Sequence, residues 1–353
     1  MNSLTKFWKV AVPVALLTAA SASYTLPSST NLNVRLSAAN LISKGDVDVA
    51  VNVHVTNNER QAVKVLKWQL PNADMDSPLF SVTRDGQPVN YLGRLAKRVQ
   101  PQESDYIKIE AGATVSYQVE LTGQYDLEKN GRYAVRYIGL ESHPNSTVSA
   151  LTNADAPLYL WLEGRSAQAP IAPAQTNQGL AASITYTGGC TASQKSSLVS
   201  AVTAATNYAQ SSKTYLSATP SATPRFTTWF GTYSATNWGT IKTHFTNEVS
   251  AFTTKPLTLD CSCTTAGTYA YVYPNSPYKI YLCGAFWSAP MTGTDSKGGT
   301  LVHEMSHFTV VAGTGDYAYG QSAAKSLAIS NPTKARMNAD SHEYFAENTP
   351  AKP

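Results

Sequence analysis

The sequence predicts a multidomain chain: an N-terminal antiparallel β-sandwich over residues 23–165 and a C-terminal, mainly α domain of α+β type over residues 181–353. Three observations carry that expectation. Val47, Val49, Val51, Val53 and Val55 alternate with polar residues, the period-two pattern of a half-buried strand. Leu198, Ala201, Val202, Ala205, Tyr208 and Ala209 recur instead at helical spacing. All four cysteines, Cys190, Cys261, Cys263 and Cys283, fall in the second half, so the halves differ in cross-linking chemistry as well as in periodicity. A chain of 353 residues, 42% hydrophobic and only 14% charged, is long enough to bury two cores.

Taken in order, residues 1–22 read as a signal peptide: Lys6 and Lys9, an apolar run from Val10 to Ala20, and a small-residue site at Ala20-Ser-Ala22. The run is shorter than the roughly 20 apolar residues a membrane span needs, and the protein is expected to be secreted. Further strands of the β domain are expected around Val63–Leu70, Val115–Leu121, Tyr133–Tyr137 and Leu158–Leu162, separated by turn clusters such as Asn57-Asn58 and Lys129-Asn-Gly131. Residues 166–180 are rich in Ala, Pro and Gln and read as an exposed linker. The second domain opens with Thr191 and Gln194, a capping box for a long first helix. A second helix is expected over Trp238–Phe252, a hairpin from Tyr269–Tyr273 and Lys279–Cys283, and a last helix around Ala335–Asn348. Net charge is only +4 with no dense basic block, which argues against nucleic-acid or membrane-surface partners.

The chemistry is concentrated in Thr300-Leu-Val-His303-Glu304-Met-Ser-His307-Phe308, which contains H-E-x-x-H. On a helix that spacing puts both imidazoles on one face, one turn apart, where two neutral rings can share a borderline-soft cation such as Zn²⁺. Glu304 then stands where a general base toward water is needed. Leu301, Val302, Met305 and Phe308 supply the apolar flanks of a buried helix. A hydrolytic zinc normally takes a third protein ligand and keeps one position open. The position six residues after His307 is Gly313, so a third histidine there is absent. Glu343 or Glu347 on the last helix could serve, as in a gluzincin. So could Asp316, after a Gly-Thr-Gly turn that can reverse the chain.

The set His303, His307 and Asp316, with Gly313-Thr-Gly-Asp316-Tyr-Ala-Tyr319-Gly320, resembles the aspzincins, the deuterolysin and peptidyl-lysine metalloendopeptidase family. The resemblance covers roughly the C-terminal half. It implies a zincin-like metalloprotease domain with one Zn²⁺ held by those three residues. Glu304 is implied as general base and Tyr319 as donor to the developing oxyanion. It also implies that Asp340 and Glu343, three apart on the last helix, form a pocket for a substrate lysine on the leaving-group side of the cut. The competing reading of that pair has Asp340 capping the helix and complementing its dipole, with Glu343 solvated. His244 is read as a surface or packing histidine, and His342 as pointing elsewhere on the last helix and not as a ligand.

An even cysteine count in an exported chain favours two disulfides, and Cys261 and Cys263 are too close in sequence to join each other. The resemblance implies Cys190–Cys261 and Cys263–Cys283, each contributing roughly 3–4 kcal/mol. The layout of β domain, linker and disulfide-bearing domain is that of a zymogen. The sandwich is then a pro-domain that assists folding and covers the site, and an accessory binding module is the other reading. There is no Lys or Arg between Arg165 and Lys195, so an enzyme cutting only beside lysine could not process the linker itself. Protein substrates, a monomeric state and no nucleic-acid or membrane partner complete the expectation. A broad-specificity deuterolysin-like enzyme, a gluzincin-type protease and a non-catalytic zinc-stabilised binding protein are the alternatives. The last would need a closed four-ligand site.

Overall fold

The computed structural model describes residues 30–71, 75–140, 148–152, 156–166 and 183–353. The expected signal segment 1–22 and all of the linker except Ser166 lie outside the described residues. The N-terminal half forms β1 (Thr30–Ser37), β2 (Ile42–Lys44), β3 (Ala50–Asn57), β4 (Val63–Leu66), β5 (Phe80–Arg84) and β6 (Gln87–Pro88). It continues with β7 (Leu95–Arg98), β8 (Tyr106–Ile109), β9 (Thr114–Glu120), β10 (Gly131–Tyr137), β11 (Val148–Thr152) and β12 (Leu158–Glu163). One sheet has the order β11-β1-β3-β9, the facing one β2-β12-β10-β5-β6, and β4 pairs with β8.

The valine alternation does what it predicts from Val49 on: Val51, Val53 and Val55 are fully buried against Phe80, Tyr133, Val135 and Tyr137. Each such side chain contributes about 1.5–3 kcal/mol by leaving water. Val47 is exposed and precedes the strand. The sandwich is not wholly antiparallel, because β1 pairs with β11 and β12 with β2 in parallel. Side-chain alternation reports which residues face the core, not the direction of the neighbouring strand.

The C-terminal half runs β13 (Ile184–Thr187), α1 (Ala192–Leu216), α2 (Pro224–Phe230), α3 (Ala235–Thr254), β14 (Leu257–Asp260), β15 (Thr268–Val272) and β16 (Lys279–Leu282). Then follow α4 (Gly284–Ser288), α5 (Lys297–His307), α6 (Gln321–Ser330), α7 (Pro332–Ala335) and α8 (Ala339–Glu347). The expected capping box starts α1: Gln194 N–H donates to Thr191 Oγ1, and Thr191 N–H to Gln194 Oε1. Its Leu198, Ala201, Ala205 and Ala209 face the core with Phe226, Phe230, Phe245, Met305 and Phe345. The disulfides are Cys190–Cys261 and Cys263–Cys283, with Cα atoms 5.2 and 4.6 Å apart. No helix of the described residues is long and apolar enough to cross a membrane.

Two features position the site. Ser296 caps α5 and donates its hydroxyl to Glu347 of α8, while Gly298 and Gly299 begin the helix. A Cβ on Gly298 would stand 2.8 Å from Ala204 Cβ of α1, and one on Gly299 would strike the Glu347 carboxylate. The glycines therefore let α5 sit directly on both neighbours. The second feature links the two halves of the chain. The C-terminal sheet has the order β13-β14-β16-β15-β7, so its outermost strand comes from the N-terminal half. β15 and β16 form the expected hairpin, and β7 lies antiparallel along the outer edge of β15.

Candidate active site

Every residue of α5 is buried. His303 and His307 share the expected face, with ring centroids 4.8 Å apart. The helix ends at Phe308, and Gly313, at a φ of 62°, turns the chain back. Thr314 N–H donates to Ser306 O at 3.1 Å, tying the returning strand to the helix it has just left. Asn338 then clamps the loop, its Oδ1 accepting from Tyr317 N–H at 2.9 Å and Ala318 N–H at 3.1 Å. Because Asn338 is extended to make this clamp, the last helix expected around Ala335–Asn348 begins only after it, as α8, and Ala335 ends the separate α7.

The turn brings Asp316 Oδ1 to 3.1 Å from His303 Nε2 and 3.4 Å from His307 Nε2. Tetrahedral bonds of about 2.0 Å to one cation require ligand atoms about 3.3 Å apart, so the three side chains fit a single Zn²⁺. The opposite edges of the rings fix the tautomers. His307 Nδ1 is 2.9 Å from Thr314 O, a carbonyl that can only accept. His303 Nδ1 is 2.9 Å from Asp340 Oδ1. The carbonyl gives His307 Nδ1 the proton and leaves its Nε2 lone pair toward Asp316, and the carboxylate beside His303 Nδ1 favours the same tautomer there. Both Nε2 atoms and both Asp316 oxygens are buried without a hydrogen-bond partner among the described residues. Burial disfavours a charged His303, yet Asp316, Asp340 and Glu343 push its pKa well above the usual range. That is the field of a site built around positive charge.

Glu304 is fully buried, and its carboxylate makes no hydrogen bond among the described residues. Burial pushes its pKa up to about 7, against the opposing pull of His303 and His307. Glu343 stands behind His303, with Oε2 3.4 Å from its Nδ1, while Glu347 accepts from Ser296 at the start of α5. His244 and His342 pair with each other at 2.9 Å, and burial lowers their pKa values to about 4 and about 3.

The capping reading of Asp340 does not hold. Asn338 occupies the N-cap, while Asp340 Oδ2 accepts from Gly320 N–H at 2.6 Å. Glu343, expected to be solvated in that reading, is fully buried. Both carboxylates surround an ammonium. Lys97 of β7 places Nζ 2.6 Å from Glu343 Oε2 and 3.5 Å from both Asp340 Oδ1 and Asp295 Oδ1. The Tyr269 and Tyr344 rings stand 5.0 and 5.7 Å from the same atom. Burial would favour the neutral amine, but the three carboxylates hold the Lys97 pKa well above its ordinary value. One residue earlier, Ala96 O accepts from Tyr319 O–H at 3.0 Å.

This arrangement agrees with the comparisons to known proteins. The aspzincin family profile, described as lysine-specific metallo-endopeptidase, matches residues 215–347. An extracellular protease of Aeromonas hydrophila is 43% identical over 97% of this chain and 99% of its own. A peptidyl-Lys metalloendopeptidase of Grifola frondosa is 37% identical over 97% of this chain and 99% of its own. The chain belongs to the aspzincin metalloendopeptidases. A solved zinc peptidase from Grifola frondosa is 56% identical, covering 46% of this chain and all of that one, with a TM-score of 0.45.

In this aspzincin the structure brings His303, Glu304, His307, Asp316, Tyr319, Asp340 and Glu343 into one buried cluster. The sequence reading did not anticipate Lys97, Asp295, Thr314 or Asn338, nor the contact of Asp340 with His303. Thr314 acts through its backbone carbonyl and Asn338 through a side chain bonded to loop N–H groups, which a residue pattern does not reveal. Asp295 directly precedes the α5 cap, where an acidic residue reads as dipole complement.

Proposed function

We propose that the chain is the precursor of a secreted zinc endopeptidase that cuts on the N-terminal side of lysine. The observation that carries this reading is the pair of buried carboxylates, Asp340 and Glu343, holding an ammonium beside the His303–His307–Asp316 cluster. Relatives named peptidyl-Lys metalloendopeptidase and extracellular protease support the lysine preference and the export.

His303, His307 and Asp316 would hold the metal through their convergent Nε2 and carboxylate atoms. When bound, Zn²⁺ supplies a Lewis acid that polarises the scissile carbonyl and lowers the pKa of water towards about 7. Glu304, buried beside the cluster, accepts the proton of the attacking water and passes it to the leaving amine. Tyr319 donates its hydroxyl to the carbonyl oxygen on which charge develops. Asp340 has a double task, orienting His303 through Nδ1 and sharing the substrate ammonium with Glu343. The outer edge of β15 receives the substrate backbone as an added strand.

The N-terminal β domain is the intramolecular inhibitor and folding partner of the enzyme, since its β7 lies where that backbone would lie. Protein and peptide chains are the substrates. The test is a cleavage profile of a denatured protein by the zinc-loaded processed enzyme, read by mass spectrometry. New N-termini should be enriched in lysine, cleavage should stop with a chelator and return with zinc, and Glu304→Gln should lose roughly 10²–10⁴-fold in rate while retaining metal. An unenriched set of N-termini contradicts the lysine assignment.

A further inference from the structure

β7 does more than cover the cleft. It lies antiparallel to β15 with Ala96 opposite Tyr271 and Lys97 opposite Ala270, as an extended chain held by backbone pairing. Within that strand two adjacent residues meet two different parts of the site. The Ala96 carbonyl oxygen receives the Tyr319 hydroxyl at 3.0 Å. The next side chain, Lys97, is 1% exposed and fills the pocket of Asp340, Glu343 and Asp295. A cavity of about 130 Å³ lined by Trp68, Gln69 and Pro78 lies against Asp316 and Tyr319, and a water's share of liquid volume is only about 30 Å³. The strand is therefore placed as a substrate whose carbonyl meets the oxyanion donor and whose next residue supplies the lysine.

We propose that Ala96–Lys97 is a self-cleavage bond of the precursor, an intramolecular processing site built into the pro-domain. This rests on the lysine-directed peptidase reading above. Water adds its oxygen to the Ala96 carbonyl carbon and the Ala96–Lys97 C–N bond breaks. Ala96 leaves as a carboxylate, and both of the water's protons end on the nitrogen, the first carried by Glu304, so that it departs as the Lys97 α-ammonium. No other reactant is consumed. The linker offers no lysine between Arg165 and Lys195, whereas this bond is already in the cleft. The cut leaves the sandwich joined by strand pairing across the break, since β3 pairs with β9, β4 with β8 and β5 with β10. The product is a nicked complex that still covers the site until Lys97 withdraws.

The test starts from full-length precursor kept in chelator, given zinc, and followed by intact mass and N-terminal sequencing. A fragment beginning at Lys97 should appear at a rate independent of protein concentration, co-elute with its partner under native conditions and separate in denaturant. Lys97→Met should not produce it. In parallel, acetylation of the full-length Glu304→Gln chain, read by peptide mass, needs neither zinc nor activity. Lys97 should react at least roughly tenfold more slowly than the exposed Lys108 and Lys195, as a buried amine must. If separately processed, zinc-loaded enzyme cuts a lysyl peptide but the zinc-loaded precursor never yields the Lys97 terminus, the self-cleavage site is wrong and the peptidase reading stands. If the processed enzyme also leaves the lysyl peptide uncut, both are overturned. Acetylation of Lys97 as fast as the exposed lysines overturns the seating on which the inference depends.

Discussion

Replacing Glu343 by Gln separates two accounts of the last helix. On the proposed reading Lys97 stands where a substrate ammonium would, with Glu343 Oε2 at 2.6 Å and Asp340 and Asp295 each at 3.5 Å. At an effective dielectric of about 20, the nearest pair alone is worth about 6 kcal/mol of gross attraction. The amide keeps the volume and one acceptor, two carboxylates remain, and the cost of burying one charge is recovered. The net loss should therefore be about 2–3 kcal/mol. Roughly 30- to 150-fold of discrimination follows from that energy. The assay compares kcat/KM for matched peptides carrying lysine or norleucine at the first leaving-side position. The lysine-to-norleucine ratio should fall by that factor with the norleucine rate nearly unchanged. Metal content should also be unchanged, because Glu343 approaches His303 at Nδ1 and not at Nε2. A ratio within twofold of wild type refutes the pocket. Loss of metal refutes the ligand assignment and favours the gluzincin alternative.

Three further outcomes are expected. Asp316→Ala should cost metal retention, read as a faster loss of zinc to a competing chelator, while the disulfide-bonded fold persists by circular dichroism. Tyr319→Phe should lower kcat roughly 10²–10³-fold with little change in KM, the signature of a donor used in the transition state; an equal rise in KM would argue for packing alone. Asp260, whose burial cost is outweighed by bonds from Ser262 and Thr187 and by Lys279, has its pKa lowered to about 2 from an ordinary 3.8. A depressed carboxylate stabilises the fold above its unfolded pKa and stops doing so as pH falls through the folded one. Asp260→Asn should therefore cost about 1–2 kcal/mol at neutral pH, and its disadvantage should vanish by about pH 2, read from denaturant midpoints.

The parts of this molecule that announced themselves in the sequence are those fixed by local geometry. H-E-x-x-H needs only a helix to align two rings, and the Gly313–Gly320 segment needs only a tight turn to return Asp316. The valine alternation located β3 and the helical spacing located α1, because each pattern reports its own buried face. β7 was illegible for the opposite reason. Leu95-Ala-Lys-Arg98 has no alternation, and its basic residues read as solvated; only a partner far along the chain makes it a strand. The same holds for Asp340, whose contact with His303 joins two helices across the core. The disulfide pairing came from the family resemblance, since four cysteines alone left more than one pairing open.

The central claim is that one cation is held by His303, His307 and Asp316. Anomalous scattering at the zinc edge, from crystals of metal-loaded chain, tests it most directly. The account predicts one zinc per chain, bonded to the Nε2 atoms of both histidines and to a carboxylate oxygen of Asp316. A peak bonded instead to Glu343 or Glu347, or lying away from the two imidazoles, would contradict it.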